Sequence, residues 1–118
     1  MIQGRLLCAD DKKCLVSNVS RTTNFLERMR GLLFRDPLKE DEAILMTSCN
    51  SVHMFGMRYP IDLIYLDKNW VIIKLVEGLN PWGMSACTAA KMVVELQGNS
   101  LKNMLVKNGQ RLEWENEL

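Results

Sequence analysis

The stretch SCNSVHMFGMRYPIDLIYLD, residues 48–67, decides the fold of this chain. It ends in IDLIYL (61–66), a run of strand length that is apolar on both faces apart from Asp62. Pro60 cannot donate a ladder hydrogen bond, so we expect it to precede this strand rather than to lie inside it. A strand with two apolar faces requires covering structure on both sides, and the rest of the chain must supply it.

The residues that follow this stretch turn back on it. Asp67-Lys68-Asn69 has turn composition and WVIIKLV (70–76) is a second apolar run, so 61–76 is predicted to be a β-hairpin. The segment GLNPWGMSACTAA (78–90) contains Gly and Pro and is predicted to be a loop. Further strands are predicted at 2–8, 14–19, 43–47, 52–55, 92–96 and 111–115.

Helical periodicity is strong in NFLERMRGLLF (24–34), where Phe25, Met29, Leu32 and Leu33 form one apolar stripe. A shorter helix is predicted at 101–105. With seven or eight short strands, the sequence predicts an α+β domain of mainly antiparallel β structure. We expect a small curled sheet or partly closed barrel, because closure hides strand edges, with the helix 24–34 packed on it.

Length and composition favour a single domain over residues 1–118, since 47% hydrophobic residues are enough for a core without disulfides or metal. The net charge of +1 removes the electrostatic argument for nucleic acid or an anionic membrane as the main partner. No apolar run has the length of a membrane span, and the N-terminal residues lack a signal-peptide pattern. We expect a cytoplasmic protein, and a monomer or weak dimer.

The four cysteines, Cys8, Cys14, Cys49 and Cys87, form no C-x-x-C pair, and the chain has one His. This spacing does not match the common zinc sites, so we expect no metal and no cofactor. The thiols are expected to be reduced and to pack as small apolar groups.

Asp62 is the first candidate for a functional residue, because apolar neighbours leave its carboxylate in need of partners. It is either a structural acid that accepts backbone N–H bonds from the loop 56–60, which we favour, or a carboxylate lining a pocket. His53 is either a core or boundary imidazole or a general base oriented by Asp62. In the second case Cys49 or Cys87 would be the nucleophile, since no G-x-S-x-G motif is present.

Arg28 and Arg35 share a face of the predicted helix and could bind one anion. We favour the alternative that an arginine joins the helix to the sheet through Asp62 or Glu95, because a carboxylate in a buried strand requires a cation. Trp82, with Met84 and Met57, is either ordinary packing or the mouth of an apolar pocket. The predicted ligand-binding residues are therefore Arg28, Arg35, His53, Asp62, Trp82 and Glu95.

Four blocks of sequence together resemble one family: ERMRGLLFR (27–35), SVHMFGMRYPIDLIYLD (51–67), LNPWG (79–83) and VVELQGNS (93–100). Their order and spacing are similar to the small prokaryotic family called domain of unknown function 192, and the resemblance implies no established activity. Relatives usually have His-Thr where this chain has His53-Met54, and they end with Gly-Asp where it has Gly109-Gln110. A site that needed that hydroxyl or that carboxylate would be altered here.

The sequence favours a non-catalytic binding or accessory module, with a small polar-lined groove for a small molecule or a peptide. This preference follows because the acids and bases of the chain can be explained as structural pairs. The alternative is a small hydrolase or transferase that uses Cys49 or Cys87 with His53 and Asp62. The two hypotheses differ in whether these side chains lie within hydrogen-bond reach around one cleft.

Overall fold

The computed structural model describes residues 1–24, 37–54 and 57–117. Within them lie nine strands and one short helix, α1 (Ser100–Asn103), so the fold is α+β and mainly β, as predicted. No helix in this part of the chain has the length and apolar character needed to cross a bilayer. The strands are β1 (Ile2–Cys8), β2 (Cys14–Arg21), β3 (Glu42–Thr47), β4 (Ser51–His53), β5 (Ile61–Leu66), β6 (Ile72–Leu79), β7 (Met84–Ala86), β8 (Met92–Gln97) and β9 (Leu112–Asn116).

Strand β5, which ends the segment 48–67, has all six of its residues buried. It lies in a seven-stranded sheet of order β6-β5-β8-β3-β2-β1-β9, between antiparallel neighbours β6 and β8. The pair β2 and β3 is parallel and the other pairs are antiparallel. Residues 22–41 connect β2 to β3, and a parallel pair requires a crossover of about this length.

The two faces of β5 contribute to two clusters of buried apolar side chains. Ile64 and Leu66 belong to the inner core, which is filled from β1, β2, β3, β8, β9 and α1. Leu63 and Tyr65 belong to the outer core, which includes Val52 of β4. Because side chains alternate along a strand, this arrangement explains why the sequence of β5 is apolar throughout.

Strands β4 and β7 form a separate two-stranded sheet, which we call the ribbon, together with the turn 80–83 that precedes β7. The ribbon covers the outer core through Val52, which is buried. The prediction of a loop over 78–90 is therefore wrong for Met84–Ala86, and also for Gly78 and Leu79, which end β6. The strand predicted at 52–55 ends at His53, and residues 55 and 56 lie outside the described residues.

The main sheet curls until its two edges touch. Val71, just before β6, forms a β-bridge with Arg111, just before β9. Beside this bridge the Ile72 N–H donates to the Gln110 carbonyl at 2.8 Å, and the Leu112 N–H donates to the Trp70 carbonyl at 2.9 Å. Beyond this contact the described residues of β6 and β9 do not pair with each other, so the sheet is strongly curled without closing into a barrel.

The helix predicted over 24–34 falls on residues 25–36, which lie outside the described residues. Its apolar stripe, its packing on the sheet and the positions of Arg28 and Arg35 therefore stay predictions. The shorter helix predicted at 101–105 is observed as α1, which begins at Ser100.

Candidate functional site

Asp62 is fully buried in β5 and has both carboxylate oxygens occupied. Oδ1 accepts the Gly78 N–H at 2.8 Å, and Oδ2 accepts the Leu101 N–H at 2.9 Å. Gly78 belongs to a β-bulge, because Asp62 alone lies opposite two residues of β6, between the pairs Ile61 with Leu79 and Leu63 with Val76. The carboxylate thus supplies the acceptor that the irregular ladder lacks at this point.

The same carboxylate caps α1 from a distant strand. Asn99 occupies the N-cap position in a left-handed conformation (φ 72°), and its side chain makes no capping hydrogen bond. The first N–H groups of a helix need an acceptor, and Asp62 provides one to Leu101. Asp62 is therefore a structural acid held by backbone amides, although these amides come from β6 and α1 rather than from the predicted loop 56–60.

His53 and Asp62 lie on opposite sides of β5. Asp62 shares its face with Ile64 and points toward Leu101 of the inner core. His53 is on β4, in the ribbon that covers the outer core, and it is exposed. Among the described residues no hydrogen bond joins the two side chains. Asp62 thus cannot orient His53 as a general base.

Cys49 and Cys87 lie on the outer-core side, half-buried and not joined by a disulfide. The Cys87 N–H donates to the Asn50 carbonyl at 2.9 Å, which places both cysteines at the same end of the ribbon. The Cys49 thiol donates to the Ser51 carbonyl at 3.1 Å. A Cys-His-Asp constellation is not assembled, because its carboxylate is on the other side of β5.

The ribbon presents the predicted residues His53 and Trp82 on one structure. His53 of β4 is opposite Met84 of β7, and Trp82 donates its backbone N–H to the Met54 carbonyl at 2.9 Å. Trp82 is 66% exposed and Met84 is 62% exposed. We call His53, Trp82 and Met84 the ribbon surface. Of the three residues predicted as packing residues or as a pocket mouth, Met57 is buried in the outer core, whereas Trp82 and Met84 lie outside the core. A pocket mouth formed by them stays a prediction.

The turn before β7 holds Trp82 in an unusual conformation. The Gly83 N–H donates to the Asn80 carbonyl at 2.9 Å, which closes a four-residue turn with Pro81 and Trp82 at its centre. Proline followed by a residue with positive φ is the pattern of a type II turn, and Trp82 has φ 67°. That central position favours Gly or Asn, so a tryptophan here is strained.

Polar contacts fix the ribbon to the sheet beneath it. The buried Tyr65 hydroxyl donates to Ser85 Oγ at 2.8 Å, and Lys74 Nζ donates to the Ala86 carbonyl at 2.9 Å. Burial raises the pKa of Tyr65 above its ordinary value, and the nearby charges of Cys49, Cys87 and Glu95 add to this, while the Ser85 bond opposes it. Tyr65 therefore keeps its proton and remains a hydrogen-bond donor. Sequence reasoning missed this anchor, because Tyr65 and Ser85 are 20 residues apart and neither carries a local signal.

Glu95 is buried in β8, with 5% of its surface exposed, and it takes part in a polar or electrostatic interaction. The arginines proposed as its partner lie outside the described residues, so that pairing stays a prediction. Nowhere in the described part of the chain do three His, Cys, Asp or Glu side chains come together as a metal site requires.

Comparison with known proteins identifies relatives over most of the chain. Residues 7–114 match the family model of domain of unknown function 192, described as an uncharacterized ACR. The chain is 37% identical over 95 residues to UPF0127 protein PF1050 of Pyrococcus furiosus, covering 77% of this chain and 81% of that protein. It is 30% identical over 95 residues to UPF0127 protein PH1112 of Pyrococcus horikoshii, covering 77% and 82% respectively.

Two crystal structures have a similar fold. A proposed transcription regulator from Sinorhizobium meliloti 1021 gives a TM-score of 0.80 at 21% identity, covering 96% of this chain and 92% of that chain. A protein of unknown function from Novosphingobium aromaticivorans DSM 12444 gives a TM-score of 0.73 at 18% identity, covering 95% and 84%. At these identities the likeness shows a common fold and not a common function.

Proposed function

The chain belongs to the family of domain of unknown function 192, and from this premise we propose that it is a non-catalytic binding module that holds an acidic peptide segment of a partner on the ribbon surface. One observation carries the proposal. Trp82 is 66% exposed, in a backbone conformation that disfavours it.

Burial gives little stabilisation to a tryptophan at this position, because the side chain is 66% exposed. A bulky residue at positive φ costs about 1–2 kcal/mol relative to glycine. An exposed side chain recovers little of this cost through burial, since hydrophobic stabilisation is proportional to the apolar area removed from water. Strain of this kind is a reason to infer function, and tryptophan is the residue type most enriched at the energetic centres of protein interfaces.

The charges around the ribbon favour an acidic partner. The segments that build it, 48–54 and 80–91, contain no Asp or Glu. Lys74 is hydrogen-bonded to Ala86 at one end of β7, and the Lys91 carbonyl accepts the Cys49 N–H just before β4. Arg58 is exposed near the opposite end of the ribbon. Its neighbour Met57 donates its backbone N–H to the Met54 carbonyl at 3.2 Å, just after β4. A peptide with carboxylates beside an apolar anchor complements this pattern.

The geometry supports binding over hydrolysis. Both oxygens of Asp62 are committed to backbone N–H groups, so Asp62 does not supply the carboxylate of a Cys-His-Asp arrangement. An exposed Trp, Met and His on an anchored ribbon need no bond-breaking chemistry to act. They resemble the centre of an interface, where aromatic residues and methionine are enriched.

The experiment replaces Trp82 by Asn, which adopts positive φ more easily than Trp does. The Trp82→Asn variant is expected to melt at or above the wild-type temperature, because it removes strain. A synthetic peptide rich in Glu and Asp with a central Leu-Leu pair should shift the amide resonances of Met54, Gly83 and Met84 in wild type. The variant should lose this response.

Leu105→Asn is the matched control, since Leu105 is 94% exposed and lies outside the ribbon. This variant should bind the peptide as wild type does. A second control is the same peptide with Lys in place of every acid, which should leave the ribbon resonances in place. Equal binding by wild type and Trp82→Asn, or no response of the ribbon to the acidic peptide, would contradict the proposal.

A further inference from the structure

A cleft opens in the main sheet where β3 begins. At the beginning of β3, Glu42 pairs with Asn18 of β2, and the next residue, Ala43, pairs with Leu96 of β8. Residues 14–17 of β2 therefore extend past β3, and β8 continues on the far side. Two strand spacings, about 10 Å, separate β2 from β8 at this point, and no strand residue of the described part of the chain lies between them.

A cavity of about 550 Å³ occupies this position, and we call it the β3 cleft. Leu15 of β2, Leu96 of β8 and Met104 after α1 give it an apolar lining. Its volume is in the range of cavities that hold small ligands. An adjoining cavity of about 410 Å³ shares Leu15 and Glu40 with it and extends it along β2.

The charged groups of the cleft are acidic. Glu40 is the only ionisable side chain among the described residues that line the larger cavity. It is exposed, and no described side chain forms an ion pair with it. Asp41, in the adjoining cavity, accepts a hydrogen bond from the Asn18 amide at 2.6 Å. No described lysine, arginine or histidine lines either cavity, so the described lining offers a carboxylate and no positive charge to a ligand.

Neutral polar side chains at the start of α1 do not cap the helix, because Asp62 accepts the Leu101 N–H instead. The Asn99 side chain makes no capping bond. The Ser100 hydroxyl is shielded from solvent and has no hydrogen-bond partner among the described residues. Gln97 and Asn103 add two amide groups to the lining. The amide groups of Gln97, Asn99 and Asn103 are therefore the neutral polar groups of the lining that a ligand can reach, whereas the Ser100 hydroxyl is shielded.

We propose that the β3 cleft binds a small organic cation, a primary ammonium group on a short apolar stem. The ammonium group lies at the Glu40 carboxylate and donates hydrogen bonds to the amide oxygens of Gln97 and Asn99. The stem lies against Leu15 and Met104. An ammonium ion has three donors and no acceptor, which matches a lining of carboxylate and amide oxygens. Among the described residues, the lining contains no aromatic side chain on which a sugar ring could stack. This site is separate from the ribbon surface and does not depend on the proposed peptide binding.

The test uses three probes of the same length and different charge: n-butylammonium, 1-butanol and butanoate. Each is titrated into the 15N-labelled full chain at concentrations up to about 50 mM, in the range where weak sites saturate. Butylammonium is expected to give saturable shifts confined to Leu15, Glu40 and residues 97–104. Butanol should bind more weakly and butanoate should give no saturable shift. Raising the ionic strength should weaken butylammonium binding.

Glu40→Gln should lower the affinity for butylammonium about tenfold, the usual loss for a charged hydrogen bond. Glu77→Gln is the matched control, since Glu77 is an exposed acid on β6 outside the cleft, and it should leave the affinity unchanged. Equal shifts with butanoate, equal loss in both variants, or no saturable shift with butylammonium would each overturn the proposal. Because the ribbon resonances are read separately, failure here leaves the peptide proposal standing, and the converse is also true.

Discussion

At the scale of single residues, Asp62 illustrates what sequence can and cannot predict. Its apolar neighbours predict a buried carboxylate that needs partners, and this is what the structure contains. The partners themselves could not be predicted. They are backbone amides 16 and 39 residues away, and a backbone amide carries no sequence signal. For the same reason the sequence could not predict that the side chains of Asn99 and Ser100 make no capping hydrogen bond to α1, since Asp62 supplies that cap.

Replacing Asp62 tests the structural role directly. Asp62→Ala leaves the buried Leu101 N–H and the partly buried Gly78 N–H without their acceptor. Asp62→Asn also fails, because one amide oxygen replaces two carboxylate oxygens and the NH2 group then faces an N–H donor. We expect both variants to lose about 1–3 kcal/mol of unfolding free energy or more, measured by urea denaturation.

Asp10→Asn is the control for the Asp62 variants, because Asp10 is exposed in the β1–β2 turn and should tolerate the change. An Asp62→Asn variant as stable as wild type would show that one oxygen suffices. That result would contradict the double-acceptor role assigned to the carboxylate.

At the scale of elements, long apolar strands were predictable and the ribbon was not. Strand β5 and its hairpin with β6 follow from composition and a turn. Strand β7 has only three residues, MSA, with no β-branched or aromatic residue, and it forms because β4 is opposite it. Isolated two-stranded ribbons are marginally stable, so β4 and β7 depend on the contacts of Tyr65 and Lys74 beneath them.

The Tyr65→Phe variant tests this anchor. It removes the bond to Ser85 and should cost about 1 kcal/mol at neutral pH, with faster amide exchange in Met84–Ala86 than elsewhere. Burial raises the pKa of Tyr65 in the folded chain above its ordinary value of 10.0. The unfolded chain therefore loses this proton first as pH rises, and the stabilisation is complete below about pH 10 and declines above it.

The pH dependence of unfolding separates the effect of the raised Tyr65 pKa from that of the hydrogen bond to Ser85. Between about pH 9 and pH 11, the unfolding free energy of wild type should fall more than that of Tyr65→Phe, because the variant lacks this proton. Parallel pH profiles would indicate that Tyr65 ionises as easily in the folded chain as in the unfolded one. Uniform amide exchange across both strands of the ribbon would contradict its role as the anchor.

At the scale of the whole molecule, the class of fold was predictable and the way the sheet closes was not. The order of predicted strand 14–19, helix 24–34 and strand 43–47 is the pattern of a parallel β-α-β unit, so the parallel pair of β2 with β3 had a signal that an antiparallel interpretation ignored. The contact between the sheet edges had none. It depends on curvature, and β-bulges in the β1–β2 and β5–β6 pairs increase the local twist.

Arg21 links three parts of the curled sheet near that edge contact. Its guanidinium lies 5.3 Å from the ring centroid of Trp70 in the β5–β6 turn and 5.5 Å from that of Trp114 in β9. Arg21 itself ends β2, so this sandwich spans strands distant in the sheet order. Two cation–π contacts at a half-buried position are expected to contribute about 1–2 kcal/mol.

Arg21→Ala should therefore lower the unfolding free energy by about 1–2 kcal/mol and change the fluorescence of the two tryptophans. Arg21→Lys keeps the charge but loses the planar group that stacks between two rings, so it should recover only part of the loss. Arg58→Ala, at an exposed position outside the sandwich, is the control and should remain within about 0.5 kcal/mol of wild type. If Arg21→Ala is as stable as Arg58→Ala, the edges of the sheet are held by the Val71–Arg111 bridge and its backbone bonds without help from the arginine.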